Sequence, residues 1–364
     1  MGLVPPGPGK AERGRTGWFL SLEAAVNDGQ AGRPILVGYD ESAASRHALN
    51  WAVEEARLRR APVLVCHALH WPYTTKPVSA EMMAQIEQVA QGVVDEGVRS
   101  ARELAPEVDA RGLLARGTPA AVLLEAGREA ELTVLGSRGQ GGFDELRVGS
   151  AAVQVPAHCV TPVVVVRPEL RPPAADAGVG AGAGAGGGTG AGAGTGAGAG
   201  AGTGAGIGAG AGAVRIVVGL DGSPAGLTAL EFALDEAALR LGAVTALCCW
   251  TDCGSSSWPD PLPFVDSNAL RRGAEDRFRE VVTRLADRRP DVPVITEFVP
   301  ERPQRALLAA AEDAALLVLG NRGNESRPRL LLGPVTQSAL AEAGCPVAVT
   351  PATVLRPRTP PDRA

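Results

Sequence analysis

The sequence has few of the residues that mark several common protein classes. Only 6 of its 364 residues are cysteines, and they form no CxxC pair and lack the histidine spacing of a zinc site. This excludes a disulfide framework and favours a reducing compartment. Aromatic side chains are also scarce, with 5 Trp, 2 Tyr and 6 Phe. Any core must therefore be built from Val, Leu, Ile and Ala.

The chain also lacks a concentrated basic surface and a long apolar run. Its net charge of -5 argues against a general nucleic-acid binder, because neutralising phosphates needs clustered cations. The longest uncharged stretch, residues 177–213, is mostly Gly and Ala and has too little apolar bulk to span a bilayer. The first ten residues lack the apolar core of a signal peptide. We therefore expect a cytoplasmic protein with neither a nucleic acid nor a membrane as partner.

A Gly/Ala-rich segment divides the chain. Residues 171–213 hold a large share of the 47 glycines, and this composition cannot bury enough apolar surface to offset chain entropy. As a flexible linker of about 40 residues it would span roughly 35 Å, which lets its flanks meet in many orientations. Residues 1–33 and 355–364 are rich in Pro, Gly and charge, and we expect a disordered leader and tail.

The blocks on either side of this linker, residues 34–170 and 214–354, repeat each other. Asp40 corresponds to Asp221 with an offset of 181 residues, and Pro119 corresponds to Pro303 with an offset of 184. Two constant offsets indicate a duplication followed by one change of length in a middle loop. Each block has about 135 to 140 residues, which is enough for its own core.

Apolar runs and helical spacing alternate within each block. Near-continuous apolar runs are typical of parallel strands covered on both faces, and alternation with helices implies right-handed crossovers. We therefore predict an α/β fold with two tandem open five-stranded parallel sheets and helices on both faces. In the first block the predicted strands are 34–39, 62–68, 108–115, 132–136 and 162–166, and the predicted helices begin near Ala44, Ala80, Pro119 and Gly149.

A glycine motif follows the fourth predicted strand, where ligands of open α/β sheets bind. Residues 136–139 (Gly-Ser-Arg-Gly) are followed by nine residues and then by Gly149 and Ser150 at the start of a helix. Glycines let backbone N–H groups approach phosphate oxygens, and a helix start adds further N–H groups. Asp40, at the end of the first strand, would accept a ribose hydroxyl. The spacing predicts a nucleotide site, the alternative being a purely structural loop.

These residues resemble the universal stress protein family. The resemblance rests on residues 37–42 (Val-Gly-Tyr-Asp-Glu-Ser), on the glycine motif and on the closing run from His158 to Val166, and it covers both blocks. It implies a strand order of 3-2-1-4-5 and an ATP site between strands one and four, with Mg²⁺ left open. It places Asp40 by the adenosine, the backbone of Ala68 at the adenine, and the glycine motif at the phosphates. The candidate binding residues are Gly38, Asp40, Ala68, Gly136, Ser137, Arg138, Gly139, Gly149 and Ser150.

The second block keeps the glycines but changes the helix start. Pro334 replaces the hydroxyl residue, which removes both the hydroxyl and one backbone N–H, although proline suits the first position of a helix. Arg327 and Arg329 would either compensate electrostatically or simply be solvated. We predict a weakened or empty second site. Its candidate residues are Asp221, Cys249, Gly320, Arg322, Gly323 and Gly333.

Other reactive residues are interpreted as structural. His67, His70 and Cys66 supply no tetrahedral metal set. The cysteines at 248, 249 and 253 lack the redox spacing, and Trp51 has the helical spacing of a core residue.

The predicted function is that of an ATP-binding regulatory or stress-response protein without dedicated catalysis. An ATP hydrolase or an adenylating enzyme would use the same cleft, with Asp40, Asp144 and Glu145 as the available acids. An interaction scaffold without nucleotide is the third alternative. The resembled family tends to dimerise through its final strand. We therefore expect either pairing of the two blocks within one chain or a homodimer, besides a protein partner that the sequence does not identify.

Overall fold

The computed structural model describes residues 32–70, 79–140, 147–168, 214–250, 267–322 and 332–352. The predicted linker and tail lie outside these residues, as do the predicted leader up to residue 31 and the last two residues of the second block, 353 and 354. The same holds for six single residues discussed above, which are Asp144, Glu145, Cys253, Gly323, Arg327 and Arg329.

The described residues form two modules of alternating strands and helices, which confirms the predicted α/β class. The first module, within residues 32–168, consists of β1 (Ile35–Gly38), α1 (Ala43–Arg59), β2 (Val63–Leu69), α2 (Ala80–Leu104), β3 (Ala110–Arg116), α3 (Pro119–Ala126), β4 (Leu132–Gly136), α4 (Ser150–His158) and β5 (Val163–Val166). The second module, within residues 214–352, consists of β6 (Arg215–Leu220), α5 (Pro224–Leu239), β7 (Ala243–Cys249), α6 (Ser267–Ala286), β8 (Val294–Val299), α7 (Pro303–Ala311), β9 (Leu316–Gly320), α8 (Pro334–Glu342) and β10 (Val347–Thr350).

Side-chain caps start several of these helices. The Ser42 hydroxyl accepts the N–H of Ser45 at 3.1 Å at the start of α1, and Ser79, Thr118 and Ser223 play the same part for α2, α3 and α5. Such a cap satisfies one of the N–H groups that a helix start leaves without an intrahelical partner. Gly149 and Gly333 begin α4 and α8 without a side-chain cap. The first turns of α4 and α8 therefore keep N–H groups for another acceptor.

The strands form one ten-stranded sheet in the order β3-β2-β1-β4-β5-β10-β9-β6-β7-β8. Each half has the order 3-2-1-4-5 that the family resemblance implied. The two predicted sheets are joined, because β5 pairs with β10 in antiparallel orientation, with Val164 opposite Ala348. The other strand pairs are parallel. The junction covers the apolar edge that each final strand would otherwise expose.

The core lies on both faces of this sheet. Ile35 and Val37 face one layer and Leu36 faces the other, and all three are fully buried. Burial on both faces explains why these strands are almost continuously apolar. Each layer contains residues of both modules, so the two cores are continuous across the junction.

A buried ring of four charges joins the modules. It consists of Glu55 and Arg59 on α1 with Glu236 and Arg240 at the end of α5, and each arginine contacts both carboxylates. Both glutamate side chains are fully buried, and that of Arg59 is 5% exposed. Because a buried charge is costly unless it is paired, this ring ties α1 to α5.

Two aromatic rings pack against this charge ring, and the whole cluster follows the sequence repeat. Arg240 lies over the ring of Trp51 at 5.7 Å, and Arg59 lies over the ring of Phe232 at 5.9 Å. The pairs Trp51 and Phe232, Glu55 and Glu236, and Arg59 and Arg240 all share the offset of 181 residues. The cluster is therefore symmetric, and Trp51 serves as a packing residue as predicted.

The two carboxylates of the ring differ in proton affinity. Burial opposes the ionisation of Glu55, but Arg240 and Arg59 outweigh it and lower the pKa of Glu55. Burial, and then the charge of Glu55, raise the pKa of Glu236 to about 7. The ring therefore keeps a proton at a higher pH than an ordinary glutamate does.

Candidate functional site

Asp40 ties the end of β1 to the loop after β4. Its Oδ1 accepts the backbone N–H of Ser42 at 3.1 Å, and its Oδ2 accepts the backbone N–H of Gln140 at 2.9 Å. Glu41, between Asp40 and Ser42, has φ +61°, a left-handed conformation that makes the turn into α1 sharp. The carboxylate therefore holds two loops together at the carboxyl edge of the sheet.

Two glycines of the predicted motif allow this close approach. A Cβ on Gly136 would lie 2.6 Å from the carbonyl carbon of Ala44, and a Cβ on Gly139 would lie 2.5 Å from Asp40 Oδ2. Both distances are too short for a side chain. A Cβ on Gly38 would likewise lie 2.9 Å from Leu135 Cδ2. Gly136 is thus required by packing against backbone even before a ligand is considered, whereas at Gly38 and Gly139 a Cβ would have to displace the end of a neighbouring side chain.

Ser137 holds the start of α4 through its backbone carbonyl. It is 2% exposed, its N–H donates to Val166 O at 2.8 Å, and its carbonyl accepts the N–H of Gly149 at 2.7 Å. Its backbone groups are therefore engaged within the protein. The neighbouring Arg138 is half-buried, accepts a hydrogen bond from the Ser42 hydroxyl at 3.3 Å through its carbonyl, and donates through Nε to Arg147 O at 3.4 Å.

The start of α4 lies beside this loop. A Cβ on Gly149 would lie 3.5 Å from Arg138 Cα and 3.8 Å from Gly139 N, which are ordinary contacts. Ser150 is the first residue of the helix. Backbone N–H groups at an uncapped helix start, next to a glycine-rich loop, form the type of concave surface that binds anions. The structure therefore brings Asp40 and the glycine motif together as the spacing predicted.

Ala68 lies one strand further along the sheet. It is on β2, opposite Ala115 of β3, and is half-buried. Next to it, His67 Nδ1 donates to the carbonyl of Tyr39 at 2.8 Å. β2 and Ala68 thus flank β1 on the side away from the glycine loop.

The second module repeats the framework. Asp221 Oδ1 accepts the N–H of Ser223 at 2.9 Å, and the Ser223 hydroxyl donates to Arg322 O at 3.3 Å. A Cβ on Gly320 would lie 2.7 Å from Ala225 Cβ. Gly333 N–H donates to the carbonyl of Asn321 at a longer 3.4 Å. The sites are therefore equivalent in their described backbone.

The helix start and one side chain distinguish the second site. Pro334 is the first residue of α8 and has no N–H to offer. Asn321 replaces Ser137, and its Oδ1 is buried without a hydrogen-bond partner in the part of the chain that is described. Cys249 is half-buried, and burial raises the pKa of its thiol to about 12.

Three other described cysteines are core residues. Burial raises the pKa of Cys66, Cys159 and Cys345 to about 12, so these thiols stay protonated at neutral pH. Within the described ranges, no three His, Cys, Asp or Glu side chains come together as a metal-ligand set. None of the helices in those ranges is both long and apolar enough to cross a bilayer.

The fold and the repeated framework of the site define a tandem open α/β protein with motif glycines at the switch point of each half of the sheet. The universal stress protein family model matches residues 32–167 and 214–351. The chain belongs to the universal stress protein family.

Individual relatives match either most of the chain or about two fifths of it. Universal stress protein Rv2005c of Mycobacterium tuberculosis is 27% identical over 323 residues, which is 86% of this chain and 96% of the relative. The crystal structure of a universal stress protein from Archaeoglobus fulgidus superimposes with a TM-score of 0.59 at 17% identity and covers 88% of this chain and 99% of that one, which shows the fold. A universal stress protein solved in complex with cAMP is 24% identical, with a TM-score of 0.27, and covers 39% of this chain and 98% of that one.

Proposed function

We propose that the first module binds ATP in the crevice between β1 and β4. The observation that carries this proposal is the uncapped start of α4, which the bond from Gly149 N–H to Ser137 O holds beside the glycine loop. In this proposal the Ser150 hydroxyl and the first-turn N–H groups of α4 bind the terminal phosphates. Arg138 and the backbone N–H of Gly139 bind the others, since the N–H of Ser137 already donates to Val166 O. Mg²⁺ would accompany the phosphates rather than occupy a site of protein ligands.

Asp40 would link the nucleoside to the phosphate loop. Each of its carboxylate oxygens accepts one backbone N–H, and a carboxylate has about four acceptor positions. The remaining positions would accept a ribose hydroxyl, and the backbone of Ala68 would contact the adenine. A bound nucleoside would therefore contact Asp40, the side chain that already holds the glycine loop against β1.

The proposed role is regulatory, with ATP occupancy as a conformational signal in a stress response. Phosphates would order the loop after β4 and so change the surface presented to a protein partner. The hydrolase alternative would need a general base near the terminal phosphate, whereas this proposal places Asp40, the one described acid among its three candidates, at the ribose. The second module would hold ATP weakly, since Pro334 removes one donor and the hydroxyl.

Calorimetric titration of the full chain with ATP tests this proposal. We expect about one nucleotide per chain. Ser150→Ala should weaken binding about tenfold or more, because a hydrogen bond to a charged group is lost. Pro334→Ala, at the matching position of the second module, is the control and should not weaken it. No binding, or an affinity that Ser150→Ala leaves unchanged, would overturn the proposal.

Two further measurements separate the alternatives. Hydrogen exchange across residues 136–150 should slow when ATP is added if occupancy is the signal. Phosphate release from ATP at a steady rate would favour the hydrolase, and chain purified gently without nucleotide that then fails to bind ATP would favour the scaffold.

A further inference from the structure

Two helices of the first module begin at the proposed nucleotide site and are held from the second module. α1 begins at Ser42, next to Asp40, and α4 begins at Gly149 and Ser150. Near its other end each helix contacts an arginine of the second module, Arg240 for α1 and Arg322 for α4.

The contact with α1 runs through the buried charge ring. Arg240 pairs with Glu55, whose side chain is fully buried in the last turns of α1. α1 is one continuous helix of 17 residues, and such a helix moves largely as a unit. A change in the position of Glu55 therefore displaces the Ser42 end of the helix, where Asp40 holds the loop after β4.

The contact with α4 is direct. Arg322 Nη2 donates to Ala157 O at 3.4 Å, at the carboxyl end of a nine-residue helix. A cation at this end is favourable because the helix dipole is negative there. Ala157 is only seven residues from Ser150, about 10 Å along the helix axis. Holding the carboxyl end of α4 thus fixes the direction of its N–H groups.

The motif arginines of the two modules differ in their described contacts. Arg138 donates to Arg147 O within its own module. Arg322, 184 residues later, donates to Ala157 O across the module boundary. The motif arginine of the second module is thus bonded to the first module.

We propose that Arg240 and Arg322 are positioning residues through which the second module sets the nucleotide affinity of the first. The inference rests on the ATP binding proposed above. With both contacts in place, the N–H groups of α4 and the Asp40 carboxylate are preorganised for the ligand, which lowers the cost of binding. The altered second module then has a regulatory function whether or not it binds nucleotide.

The test uses the full chain and measures ATP affinity together with hydrogen exchange of the amides at residues 149–152. Arg322→Ala should raise the Kd about fivefold or more, in the range of ordinary coupling between sites, and should speed exchange at these amides. Arg322→Lys, which retains the cation, should restore part of the affinity.

Arg322 is also a candidate residue of the second nucleotide site, so a second variant is needed. Arg240→Lys tests the coupling without altering either candidate site, because Arg240 belongs to neither. Lysine keeps the buried charge but offers one compact ammonium in place of the forked guanidinium, so the Kd should again rise. Arg288→Ala is the control. Arg288 is an exposed second-module arginine that pairs with Glu231, and its removal should leave the Kd unchanged.

The outcomes distinguish the two proposals. If the wild-type chain does not bind ATP, the proposed function fails and this inference fails with it. If the wild-type chain binds but folded Arg322→Ala and Arg240→Lys bind equally well, only the inference is overturned. For Arg322→Ala, lower affinity without faster exchange at residues 149–152 also overturns it, because the loss would not then act through α4.

Discussion

Asp40 Oδ2 accepts the backbone N–H of Gln140 at 2.9 Å, a bond between residues 100 positions apart in the chain. It fixes the far end of the glycine loop against β1. The Cα of Gly139 lies so close to this oxygen that a Cβ would be only 2.5 Å from it.

We therefore expect Gly139→Ala to displace the loop and to weaken ATP binding at least tenfold, as measured by calorimetry. Gly149→Ala is the matched control, because a Cβ there would meet its nearest neighbours at 3.5 Å. Its effect should be clearly smaller. Equal affinities for wild type and Gly139→Ala would show that the position of the loop does not matter for the ligand.

Pro334→Ser should strengthen the second site. The substitution returns a backbone N–H and a hydroxyl to the first turn of α8, whose start at Gly333 has no side-chain cap. We expect the stoichiometry of ATP binding to rise from about one towards two per chain. Pro334→Ala returns the N–H alone and should have a smaller effect. An unchanged stoichiometry in Pro334→Ser would place the weakness of the second site elsewhere in the module.

The charge ring should make stability depend on pH through Glu236. Burial and then Glu55 raise the pKa of Glu236 from 4.5 to about 7, so the folded chain retains a proton that the unfolded chain has lost. The free energy of unfolding should therefore fall as the pH rises from about 4.5 to about 7, and level off above that. The lowered pKa of Glu55 acts only at more acidic pH, where its contribution is lost as the pH falls.

In Glu236→Gln the side chain is always neutral, so the free energy of unfolding should lack this dependence on pH. Measured by thermal unfolding between pH 5 and 8, the Tm of wild type minus that of Glu236→Gln should fall as the pH rises. Glu231→Gln, on the outer side of the same helix, should give no such trend. A difference that grows with pH would mean that the ring favours the ionised carboxylate.

The half-buried thiols should react slowly in the folded chain. Burial, followed by Asp221, raises the pKa of Cys248 to about 11, against a reference of 9.0. The thiolate fraction at pH 8 is then about 100-fold lower than for an ordinary thiol. Iodoacetamide labelling followed by peptide mass analysis should show Cys248 and Cys249 protected, with the chain in guanidinium as reference. Labelling at the unfolded rate would support a redox role.

Local patterns predicted most of each module. The β-branched runs around Ile35 and Leu132 and the Thr118-Pro119 helix start match the observed elements, because short-range packing and capping determine them. The sequence could not decide whether β5 pairs with β10 of the same chain or with a strand of another chain. An apolar final strand needs cover, but nothing in its residues distinguishes a partner in the same chain from one in another.

The charge ring was missed although a signal for it exists. Glu55 and Arg59 are four residues apart on a helix and recur as Glu236 and Arg240. Such pairs usually lie on solvated helix faces, so the spacing alone did not indicate burial. The residues of the candidate site were singled out from the sequence. The packing need for Gly136 depends, however, on the approach of α1, and that for Gly139 on the position of Asp40, which only three-dimensional contacts reveal.

The antiparallel junction has a consequence for how the molecule can be approached. Because β10 runs against β5, all strands of one module point opposite to those of the other. The carboxyl edges of the strands that carry the two candidate sites therefore lie on opposite edges of the sheet. Under the proposed function, ATP bound at the first of these edges would leave the opposite edge free for a protein partner.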